Sequence, residues 1–405
     1  MQIIVQNFNQ FAMNHLEQVA DKMIQATRQK KSVVAVVEMS AANQTYLKKM
    51  TAPVSRFTGR EGDMLSASGA QIEAARLASY LCEKGHDSIA FTGWQAGIET
   101  DHTFSQARLL ALKTNHLKDW LKKGKMVVIA ANQGMTGELD ISTLGEGGAD
   151  TTAVALAASL RAEKCEYFSK EEGLFSAPKQ WVQKAQKLPY VTYDELLELS
   201  ETSLIHPRAI EFAKQYNVNV EIRSLFKQMP GTMVGEECSL EQNLLVRSIT
   251  FIDNVTKITL EGKKQKKLNV AGVFSTLADN GINVDIIIQN TYELDHSIIS
   301  FSIDSKDVEK VEKILSKQKE ELQYSSIEVE NELAKVSIVG SGMIFYPGVA
   351  AKMFQALSDE KIRIKMISTS EIKISTVIPR EDMIRAVDIL HDSFELNIED
   401  KEVEF

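Results

Sequence analysis

A chain of 405 residues with 44% apolar and 25% charged side chains is too long for one ordinary core and has apolar material for two or three. Its formal charge of -9, from 46 basic and 55 acidic residues, excludes a nucleic-acid binder that works by phosphate neutralisation. No apolar run reaches the roughly 18 residues of a membrane span, and the start MQIIVQNFNQ lacks a signal-peptide pattern, so a cytoplasmic protein with neither membrane nor nucleic-acid partners is expected.

The chain opens with QIIVQ, an amphipathic HLEQVADKMIQATRQ and then SVVAVVEM, an alternation that predicts a layered α/β sheet. It continues through QIEAARLASYLCEKG, SIAFTG, HLKDWLKKG and MVVIAA, whose unbroken apolar runs read as strands covered on both faces, hence a mostly parallel sheet. The glycine-rich TLGEGGADTTAVALAASLRAE then opens a helix of small residues, with Thr151 or Thr152 near its start, a natural place for a phosphate. YDELLELS and HPRAIEFAKQY read as helices, NVEIRSLF as a strand, Pro230-Gly231 as a turn, and the polar stretch from Gly235 to Gln242 as a linker. Cys82, Cys165 and Cys238, widely spaced and without CxxC pairing, read as buried thiols rather than metal or redox groups.

Beyond the linker the sequence repeats itself at about 80 residues. KITLEG returns as KVSIVG, VFSTLADNGINV as MFQALSDEKIRI, and SIISFSI as IKISTVI. Each copy reads strand, helix, strand, strand, helix, which supports two ferredoxin-like βαββαβ modules. The resulting division is 1–235 for the first domain, 236–248 for the linker and a first regulatory strand, and 249–332 and 333–405 for the two modules.

Several long strings carry a resemblance: TGWQAGI, GGADTTAVALAA, YDELLEL, HPRAIEFAK, NGINVDIIIQN, VSIVGSGM, PGVAAKMF and STSEIKIS. Together they resemble the bacterial aspartokinases that carry paired regulatory ACT domains, over nearly the whole chain. The resemblance implies an amino-acid-kinase domain, a carbamate-kinase-like αβα sandwich with a mostly parallel sheet, followed by two ACT domains. It also implies transfer of the γ-phosphoryl of ATP to the side-chain carboxylate of aspartate, an early step of lysine, threonine and methionine synthesis. One ACT module is inserted into the other in this family, so LLVRSIT is expected to belong with the second, and subunits are expected to meet through these modules.

Phosphoryl transfer rests on positioning and neutralised charge, so the family pattern can be followed position by position. Where the family has K-F-G-G-T-S this chain has Asn7-Phe8-Asn9-Gln10-Phe11-Ala12, without the cation and both glycines. The segment shaping the aspartate pocket corresponds to Glu38-Met39-Ser40-Ala41 with Gln44, and the glutamate of S-x-G-E is absent from Ser66-Ala67-Ser68-Gly69-Ala70. An arginine of the phosphate loop becomes Glu146, and two charges roughly 4 Å apart interact by on the order of 4 kcal/mol at an effective dielectric of about 20, so ATP should be repelled. The nucleotide loop reads Ser169-Lys170-Glu171-Glu172-Gly173-Leu174-Phe175-Ser176-Ala177-Pro178-Lys179 and has lost two acidic positions, and the segment before His206 is shortened. Nucleotide-binding positions that survive are Thr143, Gly147, Gly148, Asp150, Gly173 and Arg223, with Pro207 and Arg208 beside them. No catalytic residue and no metal site is assigned.

In the regulatory half the resemblance points to Asn283, Asp285 and Gln289 of the first module and to Gly342, Met343, Pro347 and Gly348 of the second as effector positions. A lysine-rich loop from Gly262 to Asn269 disfavours a cationic effector in the first module, or is simply a solvated loop. His206 reads as a helix start with Pro207.

The expectation is an aspartokinase homologue that is catalytically silent, senses lysine, threonine or both, forms homo-oligomers and pairs with an active aspartokinase. A working kinase for aspartate or another small carboxylate, with a remodelled site, is the alternative. ATP-Mg is the cofactor if the site still takes nucleotide, and there is none otherwise.

Overall fold

The structure is a computed structural model describing the chain outside residues 52–58, 200–203, 237–244, 264–267, 292–296 and 398–405. It divides into two compact units. Unit 1 comprises Met1–Leu174 and Lys187–Glu241, and unit 2 comprises Phe175–Gln186 and Gln242–Phe405.

Unit 1 begins with strand β1 (Gln2–Phe8), helix α1 (Leu16–Arg28) and strand β2 (Lys31–Val37), followed by α2 (Ala41–Met50) and the long α3 (Gly59–Glu83). Next come β3 (Ser88–Phe91), β4 (Ile98–Thr100), β5 (Leu109–Leu112), α4 (Asn115–Lys122) and β6 (Met126–Ala130). Two short strands, β7 (Gly134–Met135) and β8 (Ile141–Ser142), precede α5 (Gly148–Leu160) and β9 (Lys164–Ser169). The unit closes with β10 (Tyr190–Thr192), α6 (Tyr193–Glu198), α7 (Pro207–Tyr216), β11 (Val220–Ser224) and β12 (Thr232–Gly235).

Eight strands form one sheet in the order β10-β12-β11-β9-β1-β2-β6-β3, parallel except where β11 meets β12. Val5, Val34 and Val36 belong to one buried cluster, on the side of α5 and α7, while Ile4, Phe8 and Val37 belong to another, on the side of α1 and α3. Burial on both faces explains why these strands read as unbroken apolar runs. The carboxyl ends of β1, β2 and β6 converge, since Glu38 N donates to Phe8 O and Ala131 N donates to Val37 O. A second sheet, β5-β4-β7-β8, holds strands of two to four residues that periodicity does not reveal.

Unit 2 contains β13 (Ser248–Gly262), α8 (Val270–Asp279), β14 (Ile287–Thr291), β15 (Ser297–Asp304), α9 (Val308–Lys317), α10 (Lys319–Leu322) and β16 (Tyr324–Val339). It continues with α11 (Val349–Asp359), β17 (Met366–Thr369), β18 (Lys373–Pro379) and α12 (Met383–Ser393). One six-stranded sheet, β14-β15-β13-β16-β18-β17, serves both βαββαβ modules. Strands β13 and β16 each pass through both: Ile258 opposes Val329 in the first module, and Ile249 opposes Ile338 in the second. Val246 and Ile249 enter the core of the second module, so the strand leading out of LLVRSIT sits where the resemblance places it.

Three sequence expectations need correction. Phe175–Gln186, assigned to the first domain, belongs to unit 2, because Ala177, Val182 and Ala185 enter the second module's core and Ile249 N donates to Ser176 O. Cys82 is exposed rather than buried, its thiol near the Ser88 hydroxyl, whereas Cys165 is buried and its thiol is pushed well above the ordinary value by that burial. The pairing of β13 with β16, shifted in register near Val255 and at Gly262, runs on both sides of position 332, so the two modules share one sheet rather than dividing there. Cys238 and most of the Gly235–Gln242 stretch lie outside the described residues.

Candidate functional site

At the end of β1, Asn7 is fully buried in the sheet and donates from Nδ2 to Asp150 Oδ1 at 2.8 Å. Phe8 stacks on Phe168 with ring centres 5.1 Å apart. Asn9 then bridges Tyr167 and the Ala12 amide, so the turn that a glycine pair would leave open is closed by side chains. Gln10 completes the turn: its amide donates to Glu38 Oε2 at 2.7 Å and its side chain donates to Gln44 Oε1 at 2.9 Å.

These contacts bring together two carboxyl groups, Glu38 after β2 and Asp150 in the first turn of α5. Burial pushes Glu38 from 4.5 up to about 7, and the neighbouring Asp150 charge pushes the same way, against the Gln10 amide. Burial likewise raises Asp150 from 3.8 to about 6, although the His206 amide and Asn7 stabilise its charged form. A lysine at position 7 would have lowered both, because an opposite charge within a few ångströms favours ionisation. A neutral carboxamide cannot supply that charge.

The start of α5 is covered as well. Gly147 caps the helix with φ +67°, and a Cβ there would overlap the His206 ring; a Cβ at Gly148 would overlap the Asn132 carboxamide. Both glycines therefore admit side chains of this chain to the place where a helix N-terminus ordinarily meets a phosphate. His206 caps α7 by accepting from Arg208 N, with Pro207 in the first turn, which is the helix-start role read from the sequence. Arg208 holds the Leu144 and Ala107 carbonyls.

Thr143, read as nucleotide-binding, is engaged elsewhere: its N–H and hydroxyl both donate to Asp63, at 2.7 and 2.9 Å. Ser105 donates twice more to the same buried carboxylate, so Asp63 of α3 ties two loops together, a role no sequence motif announced. Gly173 approaches Thr232, whose hydroxyl accepts from Leu174 N and donates to Leu188 O. Arg223 pairs with Glu166 at 2.7 Å, in a cluster with Lys164, Gln6 and Glu221. Burial raises Glu166, but Gln6, Lys164 and Arg223 together hold it below the ordinary carboxylate range. Only Gly147, Gly148 and Asp150 of the retained positions gather at the convergence of β1, β2 and β6.

Glu146 is exposed. Solvent and salt screen it, so the repulsion expected from its charge is smaller than the figure drawn from the sequence. The Glu38–Asp150 pair is buried and therefore screened far less.

Beside the acid pair lies a cavity of about 180 Å³ lined by Gln10, Glu38, Met39, Gln44, Ser66, Ala70, Ala131 and Asn132. It coincides with the stretch the resemblance associates with aspartate, and Ala70 stands where that pattern has its glutamate. The next carboxylate along α3, Glu73, is fully buried and holds the start of α2 through Ser40 N and Asn43 Nδ2.

Comparison with known proteins bears on this geometry. The profile of the amino acid kinase family matches residues 10–224, and that of an ACT domain matches 336–394. Aspartokinase 2 of Bacillus subtilis is 44% identical over 403 residues, covering 98% of both chains. The chain belongs to the aspartokinase family. An aspartokinase of Geobacillus stearothermophilus is also 44% identical, with 98% of each chain covered. Aspartokinase III of E. coli, solved with lysine and aspartate, superposes with a TM-score of 0.80 over 97% of this chain and all of its own, and at 20% identity it bears on the fold alone.

Within this aspartokinase-family chain, Asp285 of the first module lies 2.6 Å from Lys335 of β16, a lysine only 2% exposed. Its carboxylate therefore already holds a cation. Asn283 and Gln289 are exposed, and Gly342, Pro347 and Gly348 lie at or near the surface before α11. Met343 instead enters the core of the second module, which suits packing rather than ligand contact. Of the lysine-rich loop, Lys263 pairs with Glu320, and the next four residues fall outside the described part of the chain. No described helix is long and apolar enough to cross a membrane.

Proposed function

We propose that this member of the aspartokinase family does not phosphorylate aspartate and acts instead as a folded, amino-acid-sensing partner that assembles with itself and with an active aspartokinase through its ACT modules. One observation carries the reading: Asn7, at the lysine position, leaves Glu38 and Asp150 as a buried acid pair. A triphosphate brought there would add negative charge to a site that already resists ionising its own carboxyl groups. The residues present therefore fit ATP-Mg poorly. Losing one preorganised electrostatic donor costs about a hundredfold to a thousandfold in rate. Here the lysine, the arginine replaced by Glu146 and the glutamate replaced by Ala70 are missing together.

Lysine, threonine or both are the proposed effectors, in keeping with the ACT match and with the lysine-bound aspartokinase III. The test is an ADP-release assay with ATP-Mg and aspartate, joined to mixing with an active aspartokinase. Background turnover together with co-elution or an altered lysine response supports the proposal. Turnover that vanishes in Asp150→Ala overturns the first half, and neither co-elution nor an altered response overturns the second.

A second reading has its own support. Full-length identity of 44% to proteins named aspartokinase, together with retention of Asp150, favours a working kinase for aspartate or another small carboxylate with a remodelled site. A panel of small acids in the same assay separates the two.

A further inference from the structure

The cavity beside the acid pair has a composition of its own. Its lining has one ionisable group, Glu38, and the other polar side chains are Gln10, Gln44, Ser66 and Asn132; Met39, Ala70 and Ala131 complete it. No lysine or arginine is among them. Asn132 Oδ1 is buried and has no hydrogen-bond partner among the described residues. That oxygen lies against Gly148, where a Cβ would come within 1.9 Å of it, so it is the rest of the carboxamide that lines the cavity.

We propose that this cavity binds a small organic primary ammonium ion in place of a dicarboxylate. The proposal rests on the reading that the site no longer performs the kinase reaction, and it names what the remodelled pocket would hold. An ammonium group carries three donors and a compact charge, which suits one carboxylate flanked by carboxamides and a hydroxyl. A dicarboxylate would instead set further negative charge against Glu38 and the Asp150 behind it, with no cation in the lining. A metal ion is a weaker match, because no cluster of three or more His, Cys, Asp or Glu occurs among the described residues. Size narrows the class further. At about 180 Å³ the cavity falls below the roughly 300–1,000 Å³ of pockets for drug-sized ligands, which suits a small molecule.

Glu38 is faced by Asp150 and Tyr167 and by the Gln10 amide, and it titrates at about 7. A bound ammonium ion would favour its charged form, so binding should release a proton and strengthen as pH rises. Between pH 8 and pH 6 the ionised fraction falls about tenfold, and affinity should fall by the same factor.

The test is calorimetry of the full chain with 2-aminoethanol and 1,4-diaminobutane, against ethane-1,2-diol, succinate and aspartate as comparators. At pH 8 one or both amines should bind at least tenfold more tightly than every comparator, and about tenfold more weakly at pH 6. Glu38→Gln should abolish the amine heat. Ala70→Leu, which fills the cavity without altering charge, should do the same and guards against misfolding of the first variant. Tighter binding of succinate or aspartate, or amine binding that survives both substitutions, would overturn the proposal. The two failures are distinguishable: turnover of aspartate overturns the silent reading and this inference with it, whereas absence of both turnover and amine binding overturns this inference alone.

Discussion

Asn7 Nδ2 lies 2.8 Å from Asp150 Oδ1, a neutral donor spanning the end of β1 and the first turn of α5 where the aspartokinase pattern has a lysine. The contact stabilises the charged form of Asp150, so Asn7→Ala should raise that carboxyl further. A hydrogen bond to a charged group contributes about 1.5–3 kcal/mol. The variant should therefore lose about that much stability at pH 8 and clearly less at pH 5, where Asp150 is largely neutral. Urea midpoints at the two pH values measure it; equal losses would mean that the bond does not discriminate between the protonation states.

Glu38 gives the opposite kind of variant. In the unfolded chain it titrates near 4.5 and in the folded protein at about 7, so between those values the native state holds the extra proton and folding weakens as pH rises. A displacement of that size costs about 3 kcal/mol by neutral to alkaline pH. Glu38→Gln should accordingly raise the melting temperature of unit 1 at pH 8 and leave it nearly unchanged at pH 4.5. A melting temperature that falls at pH 8 would show that the carboxylate is compensated after all.

Asp63 accepts from both the amide and the hydroxyl of Ser105 and of Thr143. Asp63→Ala leaves those donors, buried at Thr143 and half-buried at Ser105, without their acceptor and should cost about 3 kcal/mol. Hydrogen exchange should locate the loss at the loops holding Ser105 and Thr143. Unchanged protection there would refute the tie.

In unit 2 the fully buried His391 shares a hydrogen bond with Ser176 at 2.9 Å. Burial, helped by Lys184 and opposed by Asp388 and Asp392, holds it below its ordinary 6.5. The unfolded chain then binds the proton more readily, so this group's contribution is present above 6.5 and is lost as pH falls. Trp181 lies on the same segment as Ser176, and its emission can follow the unit in a chain carrying Trp94→Phe and Trp120→Phe. His391→Gln should make that transition less sensitive to acid. Identical acid profiles would remove His391 as the cause.

Much of the architecture could be read from the residues. Unbroken runs such as SVVAVVEM signal a doubly covered strand because nothing polar need face solvent, and the echo of KITLEG in KVSIVG exposes the paired modules. Other features left no local trace. The strands Gly134–Met135 and Ile141–Ser142 are too short to carry a period, and Ser176 reaches His391 across 215 positions. At the candidate site, motif comparison finds that position 7 lacks its lysine. It does not find that Glu38 sits close enough to Asp150 to feel its charge, because that proximity depends on neighbouring strand ends meeting in space. Arg223 and Thr143 illustrate the converse: a residue type can persist while its partners, Glu166 and Asp63, are supplied by the protein itself.

The excursion from Phe175 to Gln186 limits how the polypeptide can be divided. A fragment starting at Gln242 would contain both ACT modules in name, yet it would lack Ala177, Val182 and Ala185 from its interior, the Ser176 carbonyl that receives Ile249 N, and the hydroxyl that meets His391. Such a truncated piece carries a gap where those groups were and an apolar surface newly open to water. Severing this gene product at the obvious joint therefore wounds the downstream half, and two freely exchangeable cassettes are not what its covalent order encodes.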